Sequence, residues 1–298
     1  MKKIIVSSAD SNYFELLYEL FISIKNLDLS NEYDFGVLDT GLKDSQKKKL
    51  IDGGVIVKDT KWDVSVPSYK VRSRNHLKTQ FARAFLPDYF LEYEIYIWLD
   101  ADTWINDWDT FLLYEKGAQK NKLCITPQVD RSYGPSAKID WLFGFPKKIR
   151  TINYKNISRS VSKSLARELA MYPTVNAGAF SLNNNPELWK IFQKNIMLAS
   201  KKGRIFGTDQ VALAISIHKD KLPTEFLPAY CNWMCEFHIP FYDQENNKFI
   251  EPYLPHHPIG LMHLAGLDNI RKNKELTSEV YNLKNQVINK SLRFDKVF

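Results

Sequence analysis

Apolar positions along the first hundred residues come in short blocks whose spacing changes regularly. Lys3-Ile4-Ile5-Val6-Ser7 is a β-branched run that predicts a strand, and residues 8–13 have a loop composition with capping residues. Phe14, Leu17, Phe21 and Ile24 recur at helical spacing, with Asn26 and Asp28 ending the helix. Residues 33–38 predict a second strand. Residues 44–51 predict a short surface helix stopped by Gly53-Gly54, and Val55-Ile56-Val57 a third strand. After a polar connection over 67–75, one helix is expected through Leu77, Phe81 and Phe85, up to Pro87. Strands alternating with helices in this order predict a mostly parallel sheet with helices on its faces, an α/β fold.

The next apolar run, Tyr96-Ile97-Trp98-Leu99, is interrupted by two carboxylates one residue apart, Asp100 and Asp102, before Thr103-Trp104-Ile105. Asp is depleted in strands, and a buried carboxylate is costly unless it is paired or binds a metal. The pair is therefore expected where the strand runs out, at the edge of an open α/β sheet where ligands bind. Two hard oxygen donors suit Mg²⁺ or Mn²⁺. The alternative is a strand end with two solvated or capping aspartates. No Gly-x-Gly-x-x-Gly and no Walker-type loop accompanies the strands, which argues against a dinucleotide dehydrogenase or a P-loop enzyme.

Beyond Ile105 the pattern predicts a helix over 108–117, a strand over 123–125, a strand over 176–182, a helix over 186–201 and a helix over 211–218 capped by Gly207-Thr208-Asp209-Gln210. Residues 128–172 differ in texture. They are rich in Lys, Arg, Ser and Pro and carry Trp141, Phe143 and Phe145, so a long connection with short helices or a mobile lid is expected. Residues 219–258 read as proline-punctuated loop and strand. The final thirty residues read as a basic helix with an aromatic tail that includes Phe294, Val297 and Phe298.

Composition changes this picture in three ways. The chain of 298 residues is 44% hydrophobic and 25% charged, which suits a globular protein with a real core. Its 18 Phe, 15 Tyr and 7 Trp supply core and also rings able to stack on sugars or bases, and the net charge of +7 points to an anionic partner. Cys124, Cys231 and Cys235 lack zinc spacing. They read as reduced structural thiols in a reducing compartment, with Cys231 and Cys235 on one helical turn. The apolar run after Lys2-Lys3 is too short for a signal peptide. No window approaches the roughly 20 apolar residues of a membrane span, so a cytoplasmic protein is expected.

Several of these stretches, taken in order, resemble glycosyltransferases of the A-type fold, and within them glycosyltransferase family 8. They are Ala9-Asp10-Ser11-Asn12-Tyr13, Arg83, Leu99-Asp100-Ala101-Asp102, Asn176-Ala177-Gly178, Thr208-Asp209-Gln210 and His263-Leu264-Ala265-Gly266. The resemblance spans Ala9 to Gly266. It implies a metal-dependent transfer of a hexose from a UDP-sugar, with retention, to a glycan or lipid-linked glycan. It also implies roles. Asp10 meets the uracil edge after Ala9, and Tyr13 stacks on the base. Arg83 contacts the donor, and Asp100, Ala101 and Asp102 form the metal motif. Asn176 and Ala177 line the donor sugar. Asp209 and Gln210 stand beside the anomeric centre, and His263, with Gly266 closing its motif, is the third metal ligand. Histidine tilts the expected ion toward Mn²⁺, with Mg²⁺ as the alternative.

The chain departs from the family at two places. Val211 follows Asp209-Gln210 where the family has Asp-Gln-Asp. Asp268-Asn269-Ile270-Arg271-Lys272 stands where Lys-Pro-Trp holds the diphosphate, so Arg271 or Lys272 is expected to supply that charge. The implied organisation is one catalytic domain, with 1–106 as the nucleotide-sugar half, 107–270 as the donor-sugar and acceptor half, and 271–298 as a basic extension. The 128–172 segment is expected to form the acceptor wall, for a glycan of bacterial surface type that is lipid-linked or anionic. The basic tail offers peripheral contact with an anionic inner membrane face, against the alternative of a solvated face. No nucleic-acid partner is expected.

Each assignment has a plainer alternative. Tyr13 would serve as core at a helix start, Arg83 as a surface partner of Asp88 or Glu92, and Thr208-Asp209 as a helix cap. His263 would be an ordinary core or loop histidine. His256-His257 is a rival ligand pair whose flanking prolines favour a surface turn. Two other functions compete: a nucleotidyltransferase making nucleotide sugars, which would need a Gly-rich basic loop after the first strand, and a non-catalytic sugar or lipid-surface binding module.

Overall fold

A computed structural model describes residues 1–27, 30–71 and 74–295. The expected helix end at Asp28 and the tail residues Val297 and Phe298 lie outside the described residues. In chain order the first half runs β1 (Lys3–Ala9), α1 (Phe14–Lys25), β2 (Tyr33–Asp39), α2 (Asp44–Asp52), β3 (Ile56–Asp59), α3 (Ser68–Val71), α4 (Thr79–Ala82), α5 (Leu86–Tyr89), β4 (Ile95–Leu99), β5 (Thr103–Ile105), α6 (Trp108–Gln119) and β6 (Leu123–Pro127). The second half runs β7 (Ala137–Leu142), β8 (Phe145–Thr151), α7 (Ile152–Ser160), α8 (Lys163–Glu168), β9 (Val175–Asn183), α9 (Pro186–Ser200), α10 (Thr208–His218), β10 (Thr224–Phe226), β11 (Trp233–Met234), β12 (Phe241–Asp243), β13 (Lys248–Ile250), β14 (Leu261–His263), α11 (Asp268–Lys272), β15 (Ser278–Tyr281) and β16 (Val287–Lys290).

Seven strands form the central sheet in the order β10-β6-β9-β4-β1-β2-β3. All run the same way except β9, which is antiparallel to both β4 and β6. The period-two alternation of the strands sends side chains to both faces. Ile4, Val6, Tyr96, Trp98, Phe180 and Leu182 pack under the 77–90 segment, α9 and α10. Ile5, Val37, Ile97 and Leu99 pack under α1 and α6. Both faces are covered, which is why the strand sequences read as nearly continuous apolar runs. Each fully buried Ile, Leu or Phe contributes on the order of 1.5–3 kcal/mol, so the sheet is rigid where the site attaches. The architecture is the expected α/β fold, a largely parallel sheet flanked by helices.

Several local expectations are corrected. The single helix expected from Leu77 to Pro87 is broken. A 3₁₀ turn at Asn75–Lys78 leads into α4, the chain leaves helical geometry after Arg83, and α5 starts afresh with Pro87 in its first turn. Proline lacks the N–H that a continuous helix would need there, and suits a new start. The basic helix expected in the final residues is instead the β15–β16 hairpin. Asn282 closes its turn by accepting from the backbone of Lys284 and Gln286, and Asn285 adopts φ 57°, which asparagine tolerates. Leu292 and Arg293 are buried rather than displayed: Arg293 pairs with Glu19, and Phe294 packs on Trp104. Cys231 ends a 3₁₀ turn and Cys235 follows β11, so they share no helical turn; all three cysteines are free and buried. His256 sits after Pro255 with φ 62°, in the turn expected for it. Among the described residues, no helix is long and apolar enough to cross a membrane.

Helix α6 approaches the sheet closely at Gly117, where a Cβ would overlap the Cys124 sulfur. Gly117→Ala should therefore destabilise by about 1–3 kcal/mol in urea unfolding. Adding Cys124→Ala should recover part of that loss, because the two sites are coupled by contact; simple additivity would refute the packing argument. Asp107 caps α6 through Thr110 N and pairs with Lys248 at 2.6 Å. Burial alone would raise this carboxyl, but Lys248 and Thr110 outweigh it and hold it below its ordinary value. A folded pKa below the unfolded one gives stability that is present above about pH 4 and lost as pH falls through the folded value. Asp107→Asn should flatten that acid limb of the stability–pH curve.

Candidate active site

The site follows from where β4 stops. Asp100 N donates to Gly178 O at 2.7 Å, the last ladder bond to β9, and the chain then turns through Ala101 and Asp102. Thr103 closes the turn by donating to Asp100 O through both its N (3.1 Å) and its hydroxyl (2.8 Å). β5 then pairs with β14 in a register that sets Thr103 opposite His263, and Leu264 N donates to Asp102 O at 2.9 Å. Two segments about 160 residues apart are thus locked side by side, with Asp100, Asp102 and His263 presenting ligand atoms within 4.8 Å of one another.

The neighbours aim these three groups. His263 Nδ1 meets Asn232 Oδ1 at 2.9 Å; an amide oxygen only accepts, so Nδ1 carries the proton and Nε2 faces the carboxylates. His263 Nε2 lies 3.6 Å from Asp102 Oδ1, while Asp102 Oδ2 accepts from Arg271 at 2.8 Å. Burial alone would raise Asp102, but His263 and Arg271 outweigh it and hold the carboxyl below its ordinary value. Burial alone would lower His263, and Asp102 reverses that. Gly178 is where it is because the space is taken: a Cβ there would stand 2.5 Å from His263 Cε1, 2.8 Å from Asn176 Oδ1 and 2.9 Å from Asp100 Oδ2. The oxygen, oxygen and imidazole donors, the oriented Nε2 and the absence of any Cβ between them fit a divalent cation.

Arg83 organises the floor. Its guanidinium lies 4.6 Å from the centroid of the Trp98 ring, donates to Ala177 O at 2.8 Å, and pairs with Asp100 Oδ1 at 3.1 Å and Asp209 Oδ2 at 2.6 Å. It is buried, so the alternative of a surface pair with Asp88 or Glu92 is excluded. Burial, together with repulsion from Asp100, keeps the Asp209 carboxyl above its ordinary value despite Arg83. Helix α10 is capped by Gly207 at φ 83° with no side-chain cap, so Asp209 is engaged by Arg83 and by Gln210 N rather than serving as the helix cap. Gln210 Nε2 donates to Val175 O at 2.8 Å, which leaves its amide oxygen for the cleft.

These groups line one cleft of about 690 Å³ at the carboxyl edge of β1 and β4. Reversed β9 brings its own beginning, Asn176-Ala177-Gly178, to that same edge. Ala9, Asp10, Tyr13, Arg83, Asp100, Ala101, Asp102, Asn176, Ala177, Asp209, Gln210, His263 and Gly266 all border the cleft, and Lys272 does not; Arg271 borders it instead. Asp10 spends one carboxylate oxygen on Asn12 N and Tyr13 N, closing the turn into α1. Tyr13 is partly exposed, with Arg271 5.8 Å from its ring centroid, and is not core.

Four contributors went unrecognised in the sequence. Trp98 orients Asp100 by donating to Oδ1 at 2.9 Å, yet reads as strand filler. Asn232 was signalled only as a polar residue inside the apolar stretch 229–235. Glu236 and Met234 also border the cleft and carry no pattern.

No family model matches the chain, and no curated protein sequence matches it. Solved structures do. The galactosyltransferase LgtC, crystallised with donor and acceptor sugar analogs, aligns with 88% of this chain and 87% of its own at 16% identity and a TM-score of 0.53. An active-site mutant of LgtC aligns over the same shares at 0.51. The bifunctional glycosyltransferase WbbM, in its apo form, aligns with 77% of this chain and 39% of its own at 16% identity and 0.50. The likeness shows the fold, the A-type glycosyltransferase fold.

The cation reading is testable without any substrate. Mn²⁺ should bind the purified protein, and His263→Ala should abolish tight binding with the thermal midpoint little changed. Asn232→Ala, which frees the imidazole, should weaken Mn²⁺ about 10- to 100-fold, and Gly178→Ala should do so by crowding His263 and Asp100. Equal Mn²⁺ affinity in all four proteins would dismiss the site.

Proposed function

We infer that the protein is a metal-dependent glycosyltransferase that moves a hexose from a UDP-sugar, with retention, to a glycan or lipid-linked glycan acceptor of bacterial surface type. The observation that carries this reading is the convergence of Asp100, Asp102 and His263 beside the Arg83–Asp209 pair in one cleft of an A-type fold. LgtC, of the same fold, was crystallised with donor and acceptor sugar analogs, which supports a nucleotide-sugar donor and a sugar acceptor here. The expected setting is the cytoplasmic side of the inner membrane, with peripheral contact only.

Asp100, Asp102 and His263 would hold Mn²⁺, or Mg²⁺, whose charge would neutralise the leaving diphosphate. Arg271, fixed on Asp102, adds a protein cation on the same side of the cleft. Tyr13 would stack on the base, with Asp10 beside it. Asn176 and Ala177 would border the sugar. Asp209 is held rigidly by Arg83 and would orient donor hydroxyls; Gln210 would turn its amide oxygen to the anomeric face. Preorganised dipoles of this kind act most strongly where water is excluded.

UDP release from a panel of UDP-sugars with Mn²⁺ tests the reading before any acceptor is known. One donor should be hydrolysed, and EDTA should stop it. Tyr13→Ala should raise the donor KM by roughly 5- to 150-fold, since base stacking is worth about 1–3 kcal/mol; Tyr13→Phe should change it little. UDP binding without release from any donor would make the protein a binding module instead.

A further inference from the structure

A second cavity, about 680 Å³, adjoins the first, and Gln128 borders both. Its wall is the β7–β8 hairpin, one side of α7 from Ile152 to Arg159 and the loop at 133–136. Cross-strand neighbours share a face. Lys138 pairs with Arg150 and Asp140 with Lys148, and between them Ile139 pairs with Ile149, which also borders the cavity. Lys138, Lys148 and Arg150 border the cavity, joined by Lys155 and Arg159 from α7.

The charge arrangement there differs from that of the first cleft. In the first cleft Arg83 and Arg271 each meet carboxylates. In the second, only Arg150 does, on Asp140. Lys138, Lys148, Lys155 and Arg159 make no ion pair among the described residues, and no Asp or Glu borders the cavity. Asp140 stands opposite Lys148 and pairs with Arg150, so five cations around one concavity share one carboxylate, and an anion relieves the repulsion among them. The positive end of α7, whose Thr151 cap and Ile152 also border the space, adds to the same field. The Tyr133 hydroxyl in this wall is buried without a hydrogen-bond partner.

We propose that this cavity is the acceptor subsite and that it selects an acceptor bearing a phosphate group, held by Lys148, Lys155 and Arg159 while its sugar end reaches past Gln128 to the donor. This rests on the glycosyltransferase reading. The hairpin tip gives the phosphate two sources. Trp141, Phe143 and Phe145 are 62%, 91% and 76% exposed there, so the group is carried either by a free sugar phosphate or by a lipid headgroup at a bilayer surface.

The test measures binding apart from turnover. Calorimetry of the full chain with glucose 6-phosphate, and with glucose as the neutral control, should show binding of the phosphorylated sugar alone. Lys148→Glu and Lys155→Glu should each weaken it roughly 10- to 100-fold, as for lost charge-assisted contacts. Lys190→Glu, an equal charge change on α9, should not. In a parallel arm, vesicles of phosphatidylcholine with and without phosphatidylglycerol are sedimented with the same proteins. Capture by phosphatidylglycerol vesicles alone, lost in both cavity variants, assigns the phosphate to a lipid; solution binding assigns it to a free sugar. The proposal falls if neither probe binds, if the cavity variants bind like wild type, or if Lys190→Glu weakens binding equally. UDP release by the wild type is scored separately. Its absence alongside phosphate binding would remove the transferase reading and leave the anion site standing.

Discussion

One guanidinium holds the site together. Arg83 is buried, lies over Trp98, and stands between Asp100 and Asp209, two carboxylates from strand and helix ends more than a hundred residues apart. Without it half-buried Asp100 and buried Asp209 would repel each other, and removing one partner of the buried Arg83–Asp209 pair costs about 3–5 kcal/mol. Arg83 also donates to Ala177 O, so the β9 entry is tied to the same point. Arg83 keeps helical geometry at the end of α4, with both its N and its Nε donating to Thr79 O, and the chain departs after it.

The reversed strand is the second constraint. In an all-parallel sheet only strand ends meet the carboxyl edge. Because β9 runs backward, a strand beginning reaches it too, and with it Gly178, the residue with no Cβ to displace His263 or Asp100. Sheet topology, a glycine and an arginine thus cooperate to bring three ligand atoms together.

Much of this was legible, for physical reasons that also mark where legibility stops. Asp100 and Asp102 broke an apolar run, and burial makes such an interruption costly enough to announce a turn. β1, α1, β2, α2 and β9 followed from their periodicity within a residue or two. The helix from Leu77 to Pro87 failed because Leu77, Phe81 and Phe85 keep helical spacing through short segments that each bury the same face. The β7–β8 hairpin failed because its register shifts after Asp140 and its turn is Phe143-Gly144, both at positive φ, where an aromatic is an unusual choice. The C-terminal hairpin was read as a helix because basic residues masked a period of two. Asn232 was invisible because its role exists only through His263, 31 residues away.

The departure at 268–272 is explained by the two oxygens of Asp102. Oδ1 faces His263 and the centre of the ligand group; Oδ2 is taken by Arg271, which Asp268 holds from its other side. Asp100, Asp102 and His263 would hold a divalent cation with Arg271 still in place on Oδ2. At the stretch where the sequence departs from Lys-Pro-Trp, Arg271 places a guanidinium on Asp102 at the border of the cleft. The bracing has an electrostatic consequence. Arg271 offsets part of the negative charge of two aspartates whose carboxylates lie close together at one turn. The guanidinium comes from a helix of five residues whose Ile270 packs on the core beneath it and whose Arg271 carbonyl accepts from buried Arg293.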